Sequence, residues 1–159
     1  VNNIADALVT ADPSNASDYN KNRIAYIAKA EALDAQIMSR MKALPESART
    51  VVTSHDAFGY FAKRYGLTFK APQGMSTQSE ASAKDVAKLI TQIRKEKISA
   101  VFVETITANR LLEQISRETR AKIGGTLYSD ALSGPEGPAA TYLDMMRHNA
   151  SSIAGALGT

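Results

Sequence analysis

The chain has 159 residues, of which 44% are hydrophobic and 22% are charged, and its formal net charge is +3. These values are typical of a globular domain with a sizeable core, and no apolar run approaches the roughly 20 residues of a membrane span. Because the basic residues are scattered among acidic ones, we expect no nucleic-acid interface. The lack of cysteine excludes disulfides, thiolate zinc sites and cysteine nucleophiles.

The first part of the sequence is predicted to be helical. Residues 1–8 are typical of an amphipathic helix that has already begun, so we expect the chain to be a piece of a longer protein. A turn at 11–15 follows, in which Asp12 or Ser14 could cap the next helix. Apolar residues at 16–44 recur every three or four positions without glycine or proline, which predicts one helix of about 40 Å. Periodicity alone leaves open whether this helix bridges two lobes or packs along a sheet.

After Pro45, strands and helices alternate. The predicted strands are 50–54, 67–71, 99–104 and 122–128, and the predicted helices are 56–65, 82–96, 109–119 and 140–157. Ser82 is expected to cap its helix in a capping box with Asp85. Short apolar strands separated by helices predict an α/β fold, namely a four-stranded, mostly parallel sheet with helices on both faces, preceded by the long helix.

Three polar side chains fall at the carboxyl ends of predicted strands, the edge where ligands of parallel sheets bind. His55 offers an imidazole, a common metal ligand, although it could simply begin the next helix. Glu104 ends a strand expected to be buried on both faces, so its carboxylate needs a partner; we favour a supporting or capping role over direct ligation. Asp130 could bind Zn²⁺, Mn²⁺ or Fe²⁺, or could be a turn aspartate.

The other motifs do not indicate catalysis. The sequence contains no nucleophile elbow, P-loop or dinucleotide-binding glycine motif, and we predict that the protein is not an enzyme. An acidic pocket of Asp56, Glu104 and Asp130 could mimic a phosphoryl-accepting domain, but that interpretation leaves His55 without a role. His148, in the last predicted helix, is interpreted as a surface or packing histidine.

Four stretches in order carry a resemblance to a known family: V-V-T-S-H-D-A-F-G-Y-F-A-K-R-Y-G-L, S-A-V-F-V-E-T, G-G-T-L-Y-S-D-A-L-S and G-P-A-A-T-Y-L-D-M-M-R-H-N. They resemble the C-terminal lobe of the zinc/manganese solute-binding proteins of bacterial ABC importers. The resemblance implies two α/β lobes joined by one rigid helix. Residues 1–15 would then be a remnant of the N-terminal lobe, 16–46 the bridging helix and 47–159 the C-terminal lobe.

The resemblance also implies a metal site between the lobes. Two ligands match His55 and Asp130, Glu104 matches a supporting residue, and two histidines of the missing N-terminal lobe would supply the remaining ligands. His55 favours Zn²⁺ over Mn²⁺, because manganese- and iron-type members tend to carry glutamate there. The surrounding sequence is also similar to members that accept both metals.

The implied protein is a receptor that captures Zn²⁺, or alternatively Mn²⁺, in the periplasm or at the cell surface. It would deliver the metal to the membrane permease of an ABC transporter. An adhesin-like surface interaction protein on the same scaffold is the alternative function.

Overall fold

The computed structural model describes residues 1–72, 82–104 and 110–158; of residues 110–112 only the backbone is described. The helices are α1 (Asn2–Ala11), α2 (Ala16–Lys42), α3 (Gly59–Tyr65), α4 (Ala83–Glu96), α5 (Arg110–Thr119) and α6 (Tyr142–Leu157). The strands are β1 (Thr50–Val52), β2 (Thr68–Lys70), β3 (Ala100–Glu104) and β4 (Lys122–Leu127). The chain divides into two compact units, Val1–Gln36 and the residues from Ile37 onward.

The first unit contains α1, a short 3₁₀ turn at Pro13–Asn15 and the beginning of α2. Asp12 organises the turn, because its carboxylate accepts hydrogen bonds from three side chains: Ser14 Oγ (2.6 Å), Asn15 Nδ2 (2.7 Å) and Tyr19 OH (2.9 Å). These hydrogen bonds lower the pKa of Asp12 from 3.8 to about 2, and the bond from the Ser14 hydroxyl has the largest effect. An ion pair of 2.8 Å between Asp6 and Arg23 also links α1 to α2.

The second unit is built on a four-stranded sheet in the order β2-β1-β3-β4, in which every neighbouring pair is parallel. The predicted fold class is confirmed. The segment after β1 differs from the prediction: the strand ends at Val52 and α3 begins only at Gly59. The reason is a turn in which the Thr53 hydroxyl donates to the carbonyl of His55 (3.0 Å) and Ala57 N–H donates to the same carbonyl (3.2 Å).

Side chains of β3 alternate between the two faces of the sheet. Val101 belongs to a buried cluster with α4 and α5, whose other members are Val52, Val86, Leu89, Ile90, Ile93, Ile98, Ile115 and Ala121. Phe102 is fully buried on the opposite side, where α6 packs against β4. Helices therefore cover both faces, and the core is formed by apolar residues on each side of the central strands.

A bulge interrupts β4 opposite Phe102. Val101 pairs with Ile123, but Val103 pairs with Thr126, so two residues of β4 face one residue of β3. Those two residues are glycines. Gly125 has φ +118°, which side chains rarely adopt, and a Cβ on Gly124 would stand 2.6 Å from the Phe102 ring. The Gly124-Gly125 pair thus lets α6 and Phe102 approach the strand and resets the pairing just before the strand ends.

Side-chain hydrogen bonds fix the beginnings of α4 and α6. Ser82 caps α4 as predicted, accepting from the backbone N–H of Asp85 at 3.2 Å. The Ser82 hydroxyl in turn holds the pKa of Asp85 below its usual value. Thr141 caps α6 in the same way through Asp144. The predicted start of α5 at residue 109 lies outside the described residues.

The end of α2 is bound by Arg49, which lies just before β1. Its guanidinium donates to the carbonyl of Leu44 (2.9 and 3.2 Å) and to the carbonyl of Lys42 (3.1 Å). These carbonyls have no partner further along a helix, so a cation with several fixed donors is well suited to them. Arg49 therefore ties the last turn of α2 to the first strand of the sheet.

Candidate metal centre

The three predicted site residues lie at the carboxyl edge of the sheet. Glu104 is the last residue of β3, the strand between β1 and β4. His55 follows the end of β1 by three residues, and Asp130 follows the end of β4 by three. These three strands are adjacent and parallel, so the imidazole and both carboxylates lie close together at the carboxyl edge of the sheet. The sequence predicted this convergence.

Glu104 is fully buried and binds the segment that leaves β1. Its Oε1 accepts three hydrogen bonds: from Ser54 N–H (3.0 Å), from the Ser54 hydroxyl (2.6 Å) and from His55 N–H (3.1 Å). The buried carboxylate thus has the partners that its burial requires. The sequence indicates the role of Glu104, whereas that of Ser54 becomes apparent only in the folded sheet, where β1 and β3 lie side by side.

The imidazole of His55 lies between the two carboxylates and is only 2% exposed. Its Nδ1 stands 2.9 Å from Oε2 of Glu104, an ion-pair distance whose geometry falls short of a directional hydrogen bond. Its Nε2 faces Asp130. A carboxylate beside one ring nitrogen favours the proton there and leaves the other nitrogen with a lone pair. The lone pair of Nε2 would then be directed toward Asp130.

Asp130 approaches the ring from the solvent side. Its side chain is 62% exposed, and Oδ2 lies 3.6 Å from Nε2 of His55, which is too long for a hydrogen bond. Two ligands of a tetrahedral Zn²⁺ at 2.0–2.1 Å stand about 3.3 Å apart. The spacing of these two atoms is therefore close to that of two donors around one metal ion.

A buried amide behind the site was not predicted. Asn149 of α6 is 2% exposed, and its side chain makes two hydrogen bonds to the backbone of Tyr128. Oδ1 accepts from Tyr128 N–H at 3.0 Å, and Nδ2 donates to the Tyr128 carbonyl at 2.7 Å. One sequence signal could have revealed it, because Asn149 occupies the same helical stripe as the buried Ile153 and Leu157.

His148 packs against the strand instead of facing the site. Its Nε2 lies 3.0 Å from the carbonyl of Thr126, and its ring stands edge-to-face with Tyr128, with ring centroids 5.3 Å apart. Of the two interpretations from sequence, a surface or a packing histidine, these contacts support the packing one.

Within 1–72, 82–104 and 110–158, no group of three or more His, Cys, Asp or Glu side chains is arranged to hold a metal ion. Over the same residues, every helix is too short or too polar to cross a membrane.

Comparison with protein families gives a match over nearly the whole chain. The family model ZnuA, described as zinc-uptake complex component A, periplasmic, matches residues 1–156. Among curated proteins, the iron-binding protein YfeA of Yersinia pestis is 38% identical over 158 residues. The zinc-binding protein TroA of Treponema pallidum is 35% identical over 159 residues, and the manganese-binding lipoprotein MntA of Bacillus subtilis is 36% identical over 152 residues. These alignments include 99%, 97% and 92% of this chain.

Solved structures give the same result. The periplasmic zinc-binding protein TroA of Treponema pallidum matches with a TM-score of 0.93 and 34% identity, covering 98% of this chain and 58% of that one. A manganese-bound periplasmic metal-binding protein from Candidatus Liberibacter asiaticus matches with a TM-score of 0.86 and 33% identity, covering 98% and 57%. The chain spans about half the length of the curated relatives, namely 51%, 52% and 50% of YfeA, TroA and MntA.

Proposed function

Because this chain belongs to the family of the periplasmic zinc-uptake component A, we propose that it forms part of a receptor for a divalent metal ion. The receptor binds the ion outside the cytoplasmic membrane and delivers it to the membrane permease of an ABC transporter. No covalent bond is made or broken in this activity, so the protein acts as a carrier and not as an enzyme.

The observation that carries the proposal is the position of His55 between two carboxylates. Glu104 lies against Nδ1 and leaves Nε2 directed toward Asp130, at a spacing close to that of two donors around one ion. We propose His55 Nε2 and Asp130 as direct ligands. Glu104 is the supporting residue, because it lies against Nδ1 and orients the ring.

We propose Zn²⁺ as the metal, with Mn²⁺ as the alternative. An imidazole suits a borderline ion such as Zn²⁺, whereas an all-oxygen site suits the harder Mn²⁺. The relatives support a first-row divalent metal without selecting one, since YfeA is named for iron, TroA for zinc and MntA for manganese. The imidazole of His55 is the feature that favours zinc here.

Two ligands are fewer than the four that Zn²⁺ usually takes in a protein. We propose that the other ligands come from the half of the relatives' length that this chain does not cover. In that arrangement residues 1–15 end an N-terminal lobe, residues 16–46 form a bridging helix that contains α2, and residues 47–159 form the C-terminal lobe.

The proposed location is the periplasm or, alternatively, the extracytoplasmic surface; the printed names of the family and of the TroA structure give the periplasm, and MntA is named a lipoprotein. The adhesin alternative is not favoured, because YfeA, TroA and MntA are named for metal binding. The phosphoryl-accepting alternative has no support from these names either, and it gives His55 no role.

A calorimetric titration of the full-length protein with Zn²⁺ and Mn²⁺ tests the proposal, with His55→Ala as the variant and His148→Ala as the matched control. Loss of a direct ligand should weaken Zn²⁺ binding by more than the roughly 10- to 100-fold typical of an outer partner. His148→Ala should retain the affinity of the unsubstituted protein, since that ring packs against β4. Unchanged affinity in His55→Ala would remove His55 from the site.

A further inference from the structure

The residue that follows β4 is hydrogen-bonded to a side chain of α6. Among the residues that the structure describes, β4 lies at the edge of the sheet, and β3 is the strand that pairs with it. Just past its last residue, the N–H and the carbonyl of Tyr128 both bond to the side-chain amide of Asn149. An asparagine amide carries one acceptor and an N–H donor, as a peptide group does. Asn149 therefore takes the place of a partner strand at one position.

This amide is rigidly placed. Asn149 is 2% exposed, and the buried Ala150, Ile153 and Leu157 hold the same helix against its surroundings. At that burial water does not replace the amide readily, so loss of either hydrogen bond would leave a backbone group poorly satisfied. The position of Tyr128 is thus fixed to α6 by a specific, directional contact.

Asp130, two residues further on, has much weaker interactions of its own. Its side chain is 62% exposed, and its approach to His55 is 3.6 Å, beyond hydrogen-bond length. A metal ligand must nevertheless be placed within a few tenths of an ångström for a good bond. The nearest described anchor of that precision along the chain is the pair of hydrogen bonds at Tyr128.

We infer that Asn149 is a positioning residue of the metal site: it fixes the exit of β4 so that the Asp130 carboxylate meets Nε2 of His55. This inference rests on the proposed function, because it assigns Asn149 a role through Asp130. Asn149 itself does not touch the metal. By fixing Tyr128 in advance, Asn149 lowers the free-energy cost of ordering residues 128–130 when the ion binds.

The test uses the full-length protein and two variants. Asn149→Leu removes both hydrogen bonds while keeping the branched arrangement of side-chain heavy atoms, and Asn149→Asp keeps the acceptor for Tyr128 N–H but loses the donor to its carbonyl. Both variants should bind Zn²⁺ about 10- to 100-fold more weakly, the usual effect of losing an outer partner of a metal ligand. If Asn149→Leu fails to fold, the isosteric Asn149→Asp decides the question.

Two controls separate positioning from general destabilisation. Ile153→Ala removes a fully buried side chain one turn along α6 and should lower the melting temperature while leaving Zn²⁺ affinity unchanged. In a double-mutant cycle, Asn149→Leu should cost no further affinity once Asp130→Asn is present, because its effect acts through Asp130.

The inference is overturned if folded Asn149 variants bind Zn²⁺ as tightly as the unsubstituted protein, or if the loss is equally large in the Asp130→Asn background. Failure of the proposed function gives a different result, since the unsubstituted protein itself would then not bind Zn²⁺ or Mn²⁺.

Discussion

Glu104 holds the segment after β1 with one carboxylate oxygen and faces the His55 ring with the other, 2.9 Å from Nδ1. The two residues are 49 positions apart in sequence and are both almost completely buried. One carboxylate therefore connects the ends of β1 and β3: it accepts a hydrogen bond from the backbone of His55 and lies beside the ring of the same residue. An imidazole held in this way can offer Nε2 to a metal without first being ordered.

Replacement of Glu104 by glutamine should weaken Zn²⁺ binding by about 10- to 100-fold. The neutral amide still fills the space, but it removes the negative charge beside Nδ1 that favours a lone pair on Nε2. Calorimetry on the full-length protein measures the effect. Glu113→Gln, at an exposed position of α5, is the control and should bind normally. Equal affinities in the two variants would contradict the supporting role.

Gly124→Ala should destabilise the fold by about 1–3 kcal/mol, the usual cost of overpacking. The new methyl would stand 2.6 Å from the buried Phe102 ring and 2.8 Å from Cβ of Ala156. Gly155→Ala is the matched control: nothing lies within 4 Å of its added Cβ, and alanine favours an exposed helix by about 0.5–1 kcal/mol. Urea unfolding should therefore give a lower free energy of unfolding for Gly124→Ala and a higher one for Gly155→Ala. Similar free energies for the two variants would contradict the close approach at Gly124.

The sequence predicted the α/β fold because the apolar strands and amphipathic helices have distinct periods. The predicted boundary of a helix was wrong where side-chain hydrogen bonds, and not the spacing of apolar residues, determine the local backbone. The predicted helix at 56–65 begins only at Gly59, since Thr53 and Ala57 both donate to the carbonyl of His55 and hold the chain in a turn. Such a turn depends on a hydrogen bond between a hydroxyl and a carbonyl two residues apart. The spacing of hydrophobic residues gives no indication of that bond.

The site was partly predictable for a related reason. His55, Glu104 and Asp130 are polar residues at strand ends, and parallel pairing brings strand ends together whatever the details of packing. Ser54 and Asn149 act across 50 and 21 positions of sequence, on groups that only the folded sheet places beside them. For Asn149 the polar residue within an apolar stripe was a usable signal; for Ser54 there was none.

Acid should weaken the first unit through Asp12. Its pKa is lowered from 3.8 in the unfolded chain to about 2 in the fold, foremost by the Ser14 hydroxyl. The ionised carboxylate therefore stabilises the fold fully above about pH 4, and this contribution is lost as the pH falls through about 2. Asp12→Asn should be less stable than the parent at neutral pH, and the difference should shrink on acidification.

Thermal unfolding of both proteins between about pH 5 and pH 2 measures this trend. Asp18→Asn, an exposed position in the first turn of α2, controls for the removal of one charge. A stability difference between Asp12→Asn and the parent that stays constant with pH would show that the carboxylate acts only by its shape.

Arg49→Lys should lower the stability of the second unit by about 1.5–3 kcal/mol, the range for hydrogen bonds to a charged group. An ammonium cannot reproduce the fork with which Arg49 binds the carbonyls of Lys42 and Leu44. Arg147→Lys, whose guanidinium makes an exposed pair with Asp144 at 2.8 Å, should change stability by less than about 1 kcal/mol. Urea unfolding of the two variants measures both changes in the free energy of unfolding. Equal losses would contradict the role of Arg49 in tying the end of α2 to β1.

The most direct test of the metal site is a crystal structure of the full-length protein grown with Zn²⁺, with the ion located by its anomalous scattering. We expect one ion bonded to both Nε2 of His55 and a carboxylate oxygen of Asp130 at about 2.0–2.2 Å, with Glu104 still beside Nδ1. An ion bound elsewhere, with neither His55 nor Asp130 among its ligands, would contradict this proposal.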